Sequence, residues 1–211
     1  MNTSTAAEVR MGRPRGFDED AVLEAAMRVF WEKSYEGATM ADLTEAMGIN
    51  RSSMYAAFGD KESVFHRAME RYLEWRMTSV RQALSQPSLR KVLAGLIHGN
   101  ADFLSRPGNP RGCLLIQGAL ACGTDADPVK QAMIELRKSG EAAIKRRLQQ
   151  AQSEGELPAE IQPADFARYL SSVMAGLCIQ AANGATKAEL RRAAEIALRC
   201  IETGLWSSAS D

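Results

Sequence analysis

Apolar residues recur at intervals of three and four along nearly the whole 211-residue chain, and nowhere does an apolar/polar alternation persist. That spacing lays one apolar stripe along a 3.6-residue helix, whereas a half-buried strand needs a period of two. No Asn-Gly or Asp-Gly hairpin turn interrupts the pattern. The chain therefore reads as all-α, with breakers dividing it into about nine helices. These span 18–33, 40–47, 51–58, 61–85, 88–105, 113–122, 127–153, 163 to about 183, and a last helix that Thr186 caps and that ends near Trp206. Pro87, the Arg106–Arg111 loop, Gly155 to Pro158 and Asn183-Gly184 are the punctuation. The 113–122 segment is almost wholly apolar and is expected to be buried on all sides. In the fourth helix, Leu73, Met77, Val80 and Leu84 form one stripe.

The first three helices are short and close together, and the rest are longer and more apolar. This predicts a tail at 1–12, a small head at 13–60, a larger body at 61–206 and a short tail at 207–211. The composition, 45% hydrophobic and 25% charged, is that of an ordinary soluble domain. No apolar run reaches the roughly 20 residues of a membrane span, and the N-terminus lacks the apolar core of a secretory signal. Four cysteines are too few and too widely spaced for a disulfide scaffold, which points to a reducing cytoplasm. Cys113 and Cys122 face opposite sides of one helix and cannot bridge to each other.

The segment from Thr39 to Phe58 carries the functional information. Leu43 and Met47 form the inner face of one short helix, Met54 and Phe58 that of the next, and Ile49 plugs the turn between them. Gly48 stands where the corner needs positive φ, which glycine adopts without steric cost. Two short helices joined in this way form a helix-turn-helix. The second, at 1.5 Å per residue, is about 12 Å long and matches the width of a DNA major groove. Its outward residues are Arg51, Ser52, Ser53, Tyr55 and Ala56. Arginine can pair two-pronged with guanine, and the hydroxyls suit phosphate oxygens. Lys61 lies beside them at the start of the fourth helix. Upstream, Arg10, Arg13 and Arg15 make a basic arm fit for phosphates or a minor groove. Against this, Arg10 to Arg67 holds eight basic and ten acidic residues, so binding must depend on where the charges point.

The residues GlyArgProArg at 12–15, AlaAlaMetArgValPhe at 25–30, GlyAlaThrMetAlaAspLeu at 37–43, MetGlyIleAsn at 47–50 and SerMetTyrAlaAlaPheGlyAspLysGlu at 53–62, with Phe65 after them, resemble the N-terminal domain of the TetR/AcrR family of bacterial transcriptional regulators. In the body, ArgGlyCysLeuLeu at 111–115, GlyGluLeu at 155–157 and MetAlaGlyLeu at 174–177 resemble one branch of it. The resemblance implies a homodimer with a three-helix DNA-binding head, a ligand pocket in the body, and a four-helix interface from the last two helices of each subunit. It places Thr39 at a phosphate with Met40 beside it among the DNA-binding residues, Arg51, Ser52 and Ala56 toward bases, and Ser53, Tyr55 and Lys61 toward phosphates. Ala56 and Ala57 depart from the bulky or histidine residues common there and offer only apolar contact. Thr44 fills a site often taken by alanine and is expected to widen the helix pair slightly.

For the body, the apolar stripes of the last two helices supply the expected interface: Phe166, Leu170, Val173, Met174, Leu177 and Ala181, then Leu190, Ala194, Ala197 and Ile201. The same stripes also fit a monomer core. Pocket candidates are Trp75, Met77, Phe103, Cys113, Leu114, Gln117, Met133 and Leu136, each of which equally fits plain core. His98 is a further polar candidate. Cys113, at a helix N-terminus that stabilises a thiolate, is a candidate for electrophile or oxidant sensing, as the resemblance implies for some relatives.

The function expected is a ligand-responsive DNA-binding regulator, most simply a repressor, that needs no cofactor or metal. Its partners are a double-stranded DNA operator, a small-molecule effector and a second copy of the chain, with no membrane. The alternatives are a helical protein-binding adaptor and a small-molecule or redox sensor without DNA binding. An enzyme is disfavoured, since the chain holds no Gly-x-Ser-x-Gly, His-Glu-x-x-His, phosphate loop or Gly-x-Gly-x-x-Gly, and only two histidines, His66 and His98.

Overall fold

A computed structural model describes residues 17–121 and 127–206. The arm residues Arg10, Arg13 and Arg15, the segments 1–12 and 207–211, and Cys122 lie outside the described residues. Within them the chain forms nine helices and no strand.

The head begins with α1, Glu19–Gly37, whose first amides are capped by the Asp18 carboxylate at 3.0 Å from the Asp20 N–H. The helix outlasts its expected stop at Lys33, passing a kink at Ser34, where φ is 61°. Helix α2, Met40–Met47, starts with a reciprocal capping box: the Asp42 N–H donates to the Thr39 hydroxyl while Asp42 accepts from the Thr39 N–H. Gly48 takes the left-handed conformation, φ 64°, and turns the chain within three residues into α3, Arg51–Phe58, capped by Asn50. The Thr44 hydroxyl donates to its own helix, to the Met40 carbonyl at 2.9 Å, so it makes no demand on the α2–α3 packing. Leu43, Met47, Met54 and Phe58 are all buried and close the head over Phe30 and Phe65.

Helix α4, Lys61–Leu84, is the spine that joins head and body. It spans about 36 Å and packs on α1 at one end and on α5, Leu89–Leu104, at the other. Its fully buried face is Val64, Phe65, Ala68, Met69, Tyr72 and Ala83. The stripe of Leu73, Met77, Val80 and Leu84 is only half-buried, because α1 and α5 take the neighbouring face.

The remaining helices are α6, Leu114–Ala121, α7, Asp127–Ser153, α8, Pro163–Ala182, and α9, Lys187–Trp206. Helix α6 packs on α1 and α7, α8 on α7, and α9 on α5. Helix α6 is not enclosed on every side: Leu114 and Leu115 are buried, but Ile116 and Gln117 are half-exposed.

The stripes expected to meet a second subunit are turned inward. Phe166, Leu170, Leu177 and Ala181 of α8 and Leu190, Ala194 and Ile201 of α9 are buried within the protomer. Val173, Met174 and Ala197 lie at the margin of that core. They are the most apolar faces of their helices, and packing against α5 and α7 uses them up. The outward faces instead carry Tyr169, Ile179 and Ile196, exposed by 48%, 46% and 56%, with Cys200 also exposed.

Candidate nucleic-acid interface

Inner packing of Met54 and Phe58 leaves the opposite side of α3 free. Arg51, Ser52, Tyr55 and Ala56 are exposed, Ser53 is half-buried, and all five stand on one short helix. Arg51 pairs with no carboxylate among the described residues. Its guanidinium stacks instead over the Tyr55 ring, 5.9 Å from the centroid, which fixes its direction while leaving its donors unused. The Ser52 hydroxyl donates to the Asn50 side chain at 2.7 Å, so toward a ligand it presents lone pairs. Thr39 and Met40 stand at the N-terminus of α2, where the helix dipole favours an anion while the capping box already takes the Thr39 and Asp42 amides. Lys61 is held 4.6 Å from the Tyr35 ring centroid, and partial burial there lowers its pKa from the ordinary lysine value against the opposing pull of Glu36.

The acidic surplus of the head is largely committed elsewhere. Glu24 pairs with Arg28, Asp42 with Lys33, Glu19 with Arg67 and Asp20 with Arg71, while Asp18 and Asp60 cap helices. The α3 residues themselves include no acid, so the face bearing Arg51 offers donors and no negative charge. Charge position, rather than the sum, makes this surface acceptable to a polyanion.

Residues 22–68 match the family model for bacterial regulatory proteins of the tetR family, and residues 88–197 match the tetracyclin repressor-like C-terminal domain. The chain belongs to the TetR family. The HTH-type transcriptional repressor ComR of Escherichia coli (strain K12) is 30% identical over 191 residues, covering 89% of this chain and 90% of that protein. The HTH-type transcriptional repressor AcnR of Corynebacterium glutamicum is 29% identical over 168 residues, 78% of this chain and 82% of that one. Among solved structures, a cysteine mutant of the TetR family regulator CifR, complexed with 26-base-pair double-strand operator DNA, matches with a TM-score of 0.84. It is 36% identical over 89% of this chain and 98% of that one.

This TetR-family chain is thus a DNA-binding transcriptional regulator, of a family that acts as dimers and is typically ligand-responsive. The homologues are regulators, not enzymes. Among the described residues no helix is long and apolar enough to cross a membrane, and no group of three or more His, Cys, Asp or Glu side chains is placed to hold a metal ion.

The pocket candidates are dispersed. Phe103, Leu114 and Met133 are fully buried core, and Leu136 and Met77 are half-buried. Trp75 packs edge-on to Phe103 and borders an open groove of about 400 Å³ between α1 and α4, with Glu24, Met27, Arg71 and Glu74. The Gln117 side chain folds over Gly112, where φ is +91° and a Cβ would lie 2.3 Å from the Gln117 oxygen. His98 is a surface residue, 3.3 Å from Glu195 of α9. Cys113 is buried and accepts from the Tyr72 hydroxyl at 3.2 Å. The periodicity gave no sign of what surrounds it, namely Arg76, Asn100 and Cys178. One signal was available: Asn100 interrupts an apolar face otherwise made of Val92, Leu93, Leu96, Ile97 and Leu104.

Proposed function

We propose that this chain is a repressor that grips a palindromic operator as a homodimer and lets go when a small molecule enters the helical body. In this account α3 enters the major groove. Arg51 reads guanine in two-pronged fashion, Ser52 accepts from a base amino group, and Ala56 meets a thymine methyl. Ser53, Tyr55, Lys61 and the α2 start at Thr39 and Met40 hold phosphates, and Arg15 reaches the backbone or a minor groove. The second subunit docks on the outward α8 and α9 faces, around Tyr169, Ile179 and Ile196. The two recognition helices then stand about 34–36 Å apart, one helical turn of DNA. The protein acts in the cytoplasm, by binding and not by catalysis.

The observation that carries this proposal is the acid-less outer face of α3, on which Arg51 is stacked and has no carboxylate partner among the described residues. The pocket part is supported by buried polar atoms that have no hydrogen-bond partner among the described residues, on α1, the loop before α6, and α6 itself: the Trp31 indole N–H, the Asn109 amide nitrogen and the Gln117 side-chain oxygen. A ligand with both donor and acceptor groups satisfies them at a recovered cost of about 1–3 kcal/mol each. Selection of bound duplexes from random DNA tests the first part, and a metabolite screen against the selected duplex tests the second. A two-fold symmetric consensus supports the account. Equal recovery of all sequences contradicts it.

A further inference from the structure

The loop between α5 and α6 and the turn between α8 and α9 enclose a cleft of about 270 Å³. Its lining includes Arg106, Asn109, Arg111, Ala185 and Lys187, and no acidic residue. Two segments distant in sequence thus bring three cations together. The Arg106 guanidinium is stacked over the Trp75 ring, 5.2 Å from its centroid. Stacking fixes its direction and leaves its in-plane donors unused. Arg111 donates to the Ala185 carbonyl at 3.3 Å, which spends one of its five N–H donors and fastens the loop to the turn. Lys187 opens α9.

None of these three bases pairs with a carboxylate among the described residues. The acids nearby are committed to other partners. Asp102, near the end of α5, accepts from the Arg191 guanidinium at 2.7 and 2.9 Å. Glu189 closes the start of α9 by accepting from the Thr186 amide and hydroxyl, both at 2.7 Å. A neutral donor also lines the cleft. The Asn109 amide nitrogen is buried and has no hydrogen-bond partner among the described residues. Like charges gathered in a concave site repel one another, and an anion seated between them relieves that repulsion.

We infer that this cleft binds a small oxyanion with two or more negative charges, carried as a phosphate ester or a dicarboxylate. Three cations and one neutral donor match its charge and its lone pairs. The volume lies just below the range of about 300–1,000 Å³ that drug-sized ligands occupy, which suits a compact metabolite. Arg106 and Arg111 belong to the loop and Lys187 to α9, so the bound anion clamps the loop onto the α8–α9 corner. The same loop carries Gly108, whose carbonyl accepts from Arg28 of α1 in the head. Clamping therefore acts on the head through Arg28. Binding stands on the cleft alone, whereas its consequence for DNA rests on the effector-responsive regulator proposed above.

Calorimetric titration of the full chain at low salt tests this with two probes, inorganic pyrophosphate and succinate. At least one should bind at one site per chain, and the tighter of the two tells a phosphate ligand from a dicarboxylate. Tryptophan emission should change as Arg106 turns to the anion, and Trp75→Phe should lose most of that change while keeping affinity within a few-fold. Arg111→Gln and Lys187→Gln should each weaken binding about tenfold, the loss of one charged hydrogen bond. Lys91→Gln, an exposed base at the opposite end of α5, should leave it within about twofold. If Arg111→Gln lowers the melting temperature, Lys187→Gln decides the point, since that side chain bonds nothing else among the described residues. Saturating probe should change affinity for the selected duplex by about fivefold or more. No binding of either probe up to about 10 mM, or equal weakening by Lys91→Gln, overturns the site. Weaker duplex binding by Lys187→Gln with no probe present also overturns it, in favour of DNA phosphate as the occupant. An anion bound at the cleft with unchanged duplex affinity overturns the clamp. A chain that binds the anion and no duplex overturns the regulator account, and the cleft stands.

Discussion

The Arg51 guanidinium carbon sits 5.9 Å from the centroid of the Tyr55 ring, one helical turn further along α3. Tyr55 thereby has two separable tasks, to orient Arg51 through its ring and to bind a phosphate through its hydroxyl. Tyr55→Phe removes only the hydroxyl, and a charge-assisted hydrogen bond of about 1.5–3 kcal/mol predicts roughly tenfold or greater weakening. Tyr55→Ala also removes the stacking, worth about 0.5–1 kcal/mol at an exposed site, and should weaken binding a few-fold more. Anisotropy titrations of both variants on one duplex check this, and equal affinities for Phe and Ala contradict it.

The outward faces of α8 and α9 predict which single charge splits the dimer. Ile196→Asp sits on the exposed face of α9, and in a dimer it would bury an unpaired carboxylate. Sedimentation should find a folded monomer at concentrations where the natural chain is dimeric. Leu190→Asp, one percent exposed in the protomer core, should instead lower the melting temperature steeply. An Ile196→Asp protein that stays dimeric places the interface elsewhere.

Asp42 predicts how the head responds to acid. The Lys33 ammonium, at 2.6 Å, and then the Thr39 backbone and hydroxyl donors hold its carboxyl at about 2, below the ordinary 3.8. A depressed carboxyl contributes stability that is complete above the ordinary value and is lost as pH falls through the folded one. The α2 cap should therefore persist at pH 4 and weaken between about pH 4 and 2. The Asp42 carboxyl carbon, followed by NMR, should titrate near 2, and a midpoint near 3.8 contradicts the bridge.

Arg28 ties α1 to the loop before α6 through the Gly108 carbonyl, and it also pairs with Glu24 at 2.8 Å. Arg28→Ala should leave affinity for the selected duplex within a few-fold while shrinking the response to effector. Coupling between sites is commonly about 1–3 kcal/mol, so the release ratio has up to about a hundredfold to lose. A variant that loses DNA binding outright but keeps its release ratio would show that Arg28 serves the head alone.

The helix-turn-helix was legible because its signals are local. Thr39, Gly48 and Asn50 each act within four residues, and the structure places α2 and α3 at the boundaries those residues imply. Most of the stripe read as the dimer interface lies in the protomer's own core, for a physical reason. Periodicity finds the most apolar face, and a helix at the edge of a body spends that face on its own core. Phe166, Leu170, Leu190 and Ile201 went inward, while the interface candidates Ile179 and Ile196 stand among small and charged neighbours that dilute the pattern. The surroundings of Cys113 were illegible for a different reason. The Tyr72 hydroxyl reaches its sulphur at 3.2 Å only through the packing of α4 near the start of α6, and nothing in the local sequence of either residue reports it.

Methylation protection of guanine N7 tests most directly whether α3 reads the major groove. On the selected duplex, the natural chain should protect a guanine in each of two half-sites one helical turn apart. Arg51→Ala should restore methylation at those same guanines and leave protection elsewhere intact. Unchanged protection with Arg51→Ala, or no protected guanine at all, would place DNA on some surface other than the outer face of α3.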